Sequence, residues 1–581
     1  MKKIFLFLFV FLQFTFLNAH SFSNLGFEYW QRNEFPLFWQ QQGVIIVSSD
    51  SINKLSGSYS LKATRQIADI EKDKSPYGLI LQNIQTAFNY SDIENKEIEV
   101  SVYIKGELVD SLAPANVFIQ VIDLTNPGNN NISIGDNTTT SNDWTKSSAS
   151  ITIGNITPTT VIYMGIIMTG YGNIWLDNYQ IKLDNQLHED VYPRQTNLTE
   201  EEKKWMKSNT ISISNELFVD KKQFEKNIAN ARIIGIGDNV HGSSSIVRLK
   251  GTISKTLIEN KDFTLLAIED SPFVGAVFNR YILGFSDTID QKDVNVMYSN
   301  KDFIALMSWL REYNRSTTKK VKIFGVDINS KYENQIEYIN KVTLNKYSIQ
   351  LDSINSIFKQ QLGNWNPTGG DKIPFSEEQK QYFRENLELI KNNAALMNIE
   401  KDDKMLIYYY ADNLLKYLNF SKQSREKHMA DNIEWLLSNH LNEKIIYMAH
   451  NSHVGNSYSE TKMTGAWLKE LFKDEYYIIG TCYYEGTDMF KKQALRNSTN
   501  VINESVKGSY EYLFNQIDND CFYLDMKQLK QSKNTSNEWL TKPMLIRDYG
   551  VEPFNYYHEF SLTTINHQFD AVVFIKESVP L

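Results

Sequence analysis

Cysteine is nearly absent from this chain: Cys482 and Cys521 are the only two in 581 residues. That leaves one conceivable bridge, and the sequence does not decide between a pair formed in an oxidising compartment and two buried thiols. No cysteine follows the early apolar stretch, which argues against a lipoprotein anchor. A basic excess is also missing. Lys and Arg total 60 against 69 Asp and Glu, for a net charge of -9, and no basic stripe interleaves with aromatics, so nucleic acid is not an expected partner. There is no Gly-x-Ser-x-Gly elbow, no Walker loop, and Gly235-Ile236-Gly237 lacks the third glycine of a dinucleotide fingerprint. A serine-elbow hydrolase and a nucleotide cofactor are therefore not expected. Nor is there an internal repeat or a low-complexity tract, and the ordinary apolar and charged fractions do not indicate disorder.

A chain this long needs two or more cores. Met1-Lys2-Lys3, then the apolar run Ile4–Leu17 and Asn18-Ala19, has the layout of an export signal spanning 1–19. The run is short for a membrane span, so the expectation is an exported chain with no span after signal removal. From 20 to 186, short alternating stretches at Glu97–Ile104, Ala115–Ile122 and Val161–Ile167 are separated by Asn, Gly, Asp and Ser clusters. That pattern predicts an antiparallel β-sandwich. Residues 187–197, with Pro193, read as a linker, and Thr199 to Glu202 forms a capping-box pattern that opens a helix in a second domain, 198–581. Within it, 333–440 is long, charged and helical in period, which predicts a helical insertion forming a cap or side layer. Strands alternating with helices elsewhere predict a mainly parallel sheet in an α/β domain.

The centre of that domain is a βαβ unit. An apolar run from Arg232 to Ile236 meets Gly235 and Gly237 and turns at Asp238 and His241. Helical spacing follows at Ile246, Leu249, Ile253 and Leu257, and a second buried run, Phe263–Ile268, delivers Glu269 and Asp270. Ligands gather at the carboxyl ends of such strands. Two further strands end in chemistry-bearing residues: Lys320–Asp327 presents Asp327, and Lys444–Ala449 runs into His450, Asn451 and His453. A histidine beside a carboxylate is a natural proton carrier near neutral pH, so His241 with Asp238 or Glu269 is a candidate base for activating water. The spacing of His450 and His453 is also compatible with metal ligation.

These residues resemble a known family. Gly237-Asp238-Asn239-Val240-His241-Gly242 is similar to the Gly-Glu-x-x-His-Gly motif of the erythromycin esterases. Ala267-Ile268-Glu269, Phe324–Asp327, Arg425–Asn432, Ala449–Val454, Met463-Thr464-Gly465, Tyr477–Gly480 and Phe569-Asp570-Ala571 follow in the family's order. The resemblance spans about 198–581. It implies a carboxylic ester hydrolase that opens an ester or macrolide lactone with no required metal or other cofactor. His241 would be general base on water, and Asp238, Glu269, His450 and His453 would complete the catalytic cluster. Lys250, Asp327 and Asn451 are the candidate substrate contacts.

Three departures stand out: Asp238 replaces the usual Glu, Ser244 and Ser245 replace a His-Glu pair, and Lys250 replaces Arg. Arg is a planar fork and Lys a point charge. With export, they shift the expected substrate from a macrolide to another small-molecule or glycoconjugate ester. The alternatives are a metal-dependent hydrolase using His450 and His453, and a ligand-binding protein on the same fold. The segment 20–186 in turn resembles carbohydrate-binding jelly-roll modules, through Asn24–Glu28, Ser56–Leu61 and Ile174–Asn178. That implies a possible polysaccharide contact and a structural calcium near Glu28 and Asp177.

Overall fold

In the computed structural model the described residues run from 24 to 581, apart from 29, 32–34, 37–38, 67–75, 109–114, 124–125, 137–140, 155, 157–159, 193–194, 215–216, 229, 296, 329–331, 363–373, 458–461, 493–494, 528, 530–534 and 550–559. The export-signal segment 1–19 and Pro193 lie outside the described residues. The chain divides into two compact units. One comprises Met1–Ser208, Asn503–Asp518 and Gln528–Gln568; the other comprises Asn209–Ile502, Asn519–Lys527 and Phe569–Leu581.

The first unit holds two antiparallel sheets, of six and five strands. The three alternating stretches fall on the strands Glu97–Leu108, Ala115–Asp123 and Thr160–Met168. Their period of two sends Val100, Val102 and Ile104 of one sheet and Val117, Ile119, Ile162 and Ile166 of the other into a shared core. The strand Gly172–Leu183 carries Trp175 and Asp177. Asp177 Oδ2 accepts the backbone N–H groups of Leu55 and Ser56 at 2.7 and 2.9 Å, and Glu28 accepts that of Ser58 at 2.9 Å. Gly57 has φ 60°, and a Cβ there would meet Glu28 Oε1 at 1.9 Å, so this turn requires glycine. The expected linker carries a short helix, His188–Val191, with His188 Nε2 2.7 Å from Ala87 O. Thr199 and Glu202 form the reciprocal capping pair, at 2.7 and 3.2 Å.

The second unit is built on a mixed ten-stranded sheet. Its centre is parallel, in the order Ala571–Ser578, Tyr476–Lys492, Ile233–Asp238, Lys444–His450, Phe263–Ile268, Lys322–Gly325. The strands Thr210–Ser214, Cys521–Asp525 and Leu495–Ile502 join it antiparallel, so the sheet is parallel only in its middle. Cys482 and Cys521 sit on the two strands flanking Ala571–Ser578 and are not joined by a disulfide. The glycines expected to stop the first strand lie inside it. A Cβ at Gly235 would strike the Tyr476 ring, and one at Gly237 would meet Asn451 Oδ1 at 2.2 Å, so the glycines admit neighbours rather than end pairing.

Helix Ser244–Lys261 follows, capped by the Ser243 hydroxyl on Ile246 N–H and closed by Asp262 in the left-handed region. The region 333–440 forms helices Tyr332–Val342, Ser348–Leu362, Glu377–Leu396, Lys401–Lys416 and Lys422–Asn439. The first four share their own apolar core, including Ile339, Leu351, Phe358, Leu387 and Leu414. No helix among the described residues is long and apolar enough to cross a membrane.

Candidate active site

Register brings the site together. Asp238 pairs with His450, Ile268 with Met448, and Ile268 with Gly325. Three neighbouring parallel strands and the one beside them therefore end at one level, and their carboxyl ends present Asp238, His450, Glu269 and Asp327. His241 follows Asp238 by three residues, and His453 rides on the single helical turn Asn451–Val454.

Asp238 is almost fully buried and divides its oxygens. Oδ2 lies 2.6 Å from His241 Nδ1, and Oδ1 accepts from Lys250 Nζ at 2.5 Å. Burial alone would raise its carboxyl; Lys250 and then His241 outweigh that and hold it well below the usual carboxylate range. An ionised Asp238 requires the proton of His241 on Nδ1. The lone pair is then on Nε2, where a base for water needs it.

Glu269 is also ionised. Burial opposes this, but His453 and Arg425 depress its carboxyl well below the ordinary range. Its Oε2 accepts the backbone N–H of His450 at 2.9 Å, and its Oε1 faces His453 Nε2 and Arg425 Nη2, both at 3.2 Å. His453 Nδ1 meets Glu426 Oε2 at 2.9 Å. Held between two carboxylates, and in spite of burial, His453 is pushed up to about 10 and is an imidazolium. His450 differs: its Nδ1 accepts from Ser452 N–H at 3.3 Å, and Nε2 lies 3.3 Å from Asn239 O, which fits the neutral Nε2–H tautomer. The His241 and His450 ring centroids are 5.2 Å apart.

Asp327 receives the fork of Arg425, Nε at 2.9 Å and Nη2 at 2.7 Å. The charges therefore alternate from Lys250 and Asp238 on one side, and from Asp327 through Arg425, Glu269 and His453 to Glu426 on the other.

A cavity opens beside this array, lined by Asp238, His241, Lys250 and Glu269 and by apolar groups including Ile246, Phe303 and Leu306. Of the residues singled out from sequence, these four line it. His450 and His453 stand behind them. Asp327 is taken up by Arg425. Asn451 is fully buried, donating to Thr481 O at 2.8 Å and accepting from Thr481 N at 3.1 Å, so its amide ties the helical turn Asn451–Val454 to the strand Tyr476–Lys492. Sequence reasoning left out Arg425, Glu426 and Tyr298. The first two lie within the motif Arg425–Asn432, whose helix spacing signalled them: Arg425, Glu426 and Asn432 all face the strand ends, Asn432 Nδ2 donating to Val326 O at 2.7 Å. Tyr298 had no motif to mark it.

Comparison with known proteins places the chain in a family. Erythromycin esterase type II of Escherichia coli is 25% identical over 305 residues, covering 46% of this chain and 72% of that protein. YbfO of Bacillus subtilis (strain 168), a provisionally named hydrolase, is 21% identical over 410 residues, covering 64% and 89%. The crystal structure of a Bacillus cereus protein superposes with TM-score 0.55 at 22% identity, over 67% of this chain and 99% of that one, a shared fold. The family model for erythromycin esterase matches residues 258–578, more than half of the sequence, and the chain belongs to the erythromycin esterase family.

Proposed function

We propose that this chain hydrolyses a carboxylic ester or lactone by attack of water activated at His241 Nε2. The observation that carries the reading is the Asp238–His241 pair, 2.6 Å apart at the wall of the cavity, with no hydrogen bond to the other imidazole nitrogen among the described residues. Asp238 fixes the tautomer and balances the charge His241 acquires on taking a proton from water. Lys250 keeps Asp238 ionised, so the pair stays an acceptor–donor couple. Glu269, accepting from three donors, is an anchor rather than a proton carrier, and through the His450 N–H it sets the backbone of that loop.

The metal-dependent alternative is disfavoured on chemical grounds. An imidazolium between Glu269 and Glu426 offers no lone pair, and His450 Nδ1 already accepts from Ser452. The substrate we infer is not a macrolide but another ester, such as one on a glycan or glycoconjugate. Export and a sugar-binding sandwich of jelly-roll type are part of the same reading. A structural calcium near Glu28 and Asp177 belongs to the same reading, since both carboxylates converge on the one turn 55–58.

The test is hydrolysis of aryl esters, acetylated oligosaccharides and macrolide lactones by the purified chain and by His241→Ala, with and without chelator. Turnover lost in the variant and kept under chelation is expected. Turnover retained in His241→Ala sinks the base assignment, and silence of both proteins across the panel moves the reading to a binding role.

A further inference from the structure

Tyr298 stands just before Asn300, the N-cap of helix Lys301–Ser316, in a turn fixed by its own N–H to Asn295 O at 2.9 Å and by Asn300 Nδ2 to Met297 O at 2.7 Å. Its ring lies edge-on to Phe303 at 4.9 Å and to Phe278 at 6.5 Å, which holds the phenol in one orientation. Only 8% of the residue is exposed. Tyr298 nevertheless lines the cavity that holds His241, Asp238 and Glu269. Its hydroxyl has no hydrogen-bond partner among the described residues and is not among the polar atoms sealed from solvent.

A buried tyrosine normally finds a partner, because an unmade hydrogen bond costs about 1–3 kcal/mol. Other buried phenols of this unit do so: Tyr409 donates to Gly325 O at 2.7 Å and Tyr476 to Val454 O at 2.6 Å. A rigid phenol left open in the cavity that also holds His241 is arranged for a group that arrives with the substrate. Burial, then the charges of Glu269, Asp270 and Asp238, keep this phenol protonated far above neutral pH, so it is a donor throughout the working range. Lys250 is bound to Asp238, Arg425 to Asp327 and Glu269, and the His453 imidazolium to Glu269 and Glu426, so each of these three cations is already taken by carboxylates.

We propose that Tyr298 is a catalytic residue whose hydroxyl donates a hydrogen bond to the scissile carbonyl oxygen. The assignment rests on the hydrolytic reading above. As His241 Nε2 takes a proton from water, the water oxygen bonds to the carbonyl carbon and the C=O π pair moves onto oxygen, where Tyr298 stabilises it. Collapse re-forms C=O and breaks the bond to the alkoxy oxygen, which leaves with the proton held by His241. A neutral donor suits this place: Asp238 and Glu269 are already anionic, and a tyrosine stabilises the new oxyanion without forming a further buried ion pair with them.

The experiment compares the full chain, His241→Ala and Tyr298→Phe on the same aryl esters, measuring kcat and KM separately. The Phe variant keeps the ring packing, and an unchanged melting curve verifies it. Removal of one oxyanion donor is expected to lower kcat roughly 10²-fold with KM nearly constant. Turnover that depends on His241 but not on the Tyr298 hydroxyl, or a change in KM alone, overturns the Tyr298 assignment and leaves the hydrolase standing. A parent chain with no His241-dependent turnover overturns both.

Discussion

His241 Nδ1 lies 2.6 Å from Asp238 Oδ2, while the other oxygen of the same carboxylate takes Lys250 Nζ at 2.5 Å. One side chain thus orients the imidazole and balances a buried cation. Replacing Asp238 by Asn is expected to lower kcat on a responsive ester at least 10²-fold, because an amide no longer fixes the tautomer. It also strands Lys250, so a denaturant midpoint should fall in parallel. Activity within a few-fold of the parent would show that His241 does not depend on this contact.

Arg425 reaches Asp327 with two nitrogens and Glu269 with one of them. Lysine keeps the charge but has no fork. Arg425→Lys is therefore expected to cost about 2–4 kcal/mol of stability, since breaking a buried pair leaves carboxylates uncompensated. Urea unfolding of parent and variant measures it, and a difference under ~0.5 kcal/mol would remove this contact from those that hold the strand ends together.

His453 gives the second unit a definite pH response. Its pKa rises from the ordinary 6.5 to about 10 in the folded state. A raised pKa means the stabilisation is full below 6.5 and drains away as pH climbs through 10. Glu269 and Glu426 are depressed, so their contribution is full above the ordinary glutamate range and lost on acidification. Melting temperature should therefore decline on the alkaline side between pH 7 and 10. In His453→Gln it should start lower and stay flatter over that interval. A variant with the same alkaline slope as the parent contradicts the doubly held imidazolium.

Glu511 responds in the opposite sense to an ordinary surface acid. It is fully buried, Arg547 N–H donates to Oε1 at 2.7 Å, and Oε2 is sealed from solvent. Burial pushes this carboxyl up to about 7. Because it is easier to keep protonated folded than unfolded, its share of stability is lost as pH rises from 4.5 through 7. Glu511→Gln should stabilise the first unit by about 1–3 kcal/mol at pH 8 and by almost nothing at pH 5. An equal gain at both pH values would refute the cause.

Much of this architecture was legible in the chain itself. Period-two runs marked the sandwich strands, and Phe263–Ile268 was read to the residue because apolar content and flanking turns agree there. What escaped depends on space. The glycines at 235 and 237 looked like strand breakers because sequence cannot show Tyr476 and Asn451 leaning into the vacant side-chain positions. Asn451 looked like a substrate contact because it follows His450, yet its amide is used by Thr481, a residue thirty positions away. Tyr298 was invisible because nothing local distinguishes a phenol facing a cavity from one facing a core. The return of Asn503–Asp518 and Gln528–Gln568 to the first unit has no signal in composition either.

The alternating string from Asp327 through Arg425, Glu269 and His453 to Glu426 makes some positions far less free to change than others. Each inner member neutralises two neighbours, so any single loss leaves a buried charge that the remaining fold must carry. The apolar cavity wall, by contrast, includes Met297, Leu306 and Leu581, where a change of shape alters what fits at modest cost. On the proposed reading, a descendant of this chain can therefore drift from one substrate to another, or cease to turn over at all, while keeping every residue of the string. In such a lineage the histidine loop would record the demands of folding, and the wall would record the substrate.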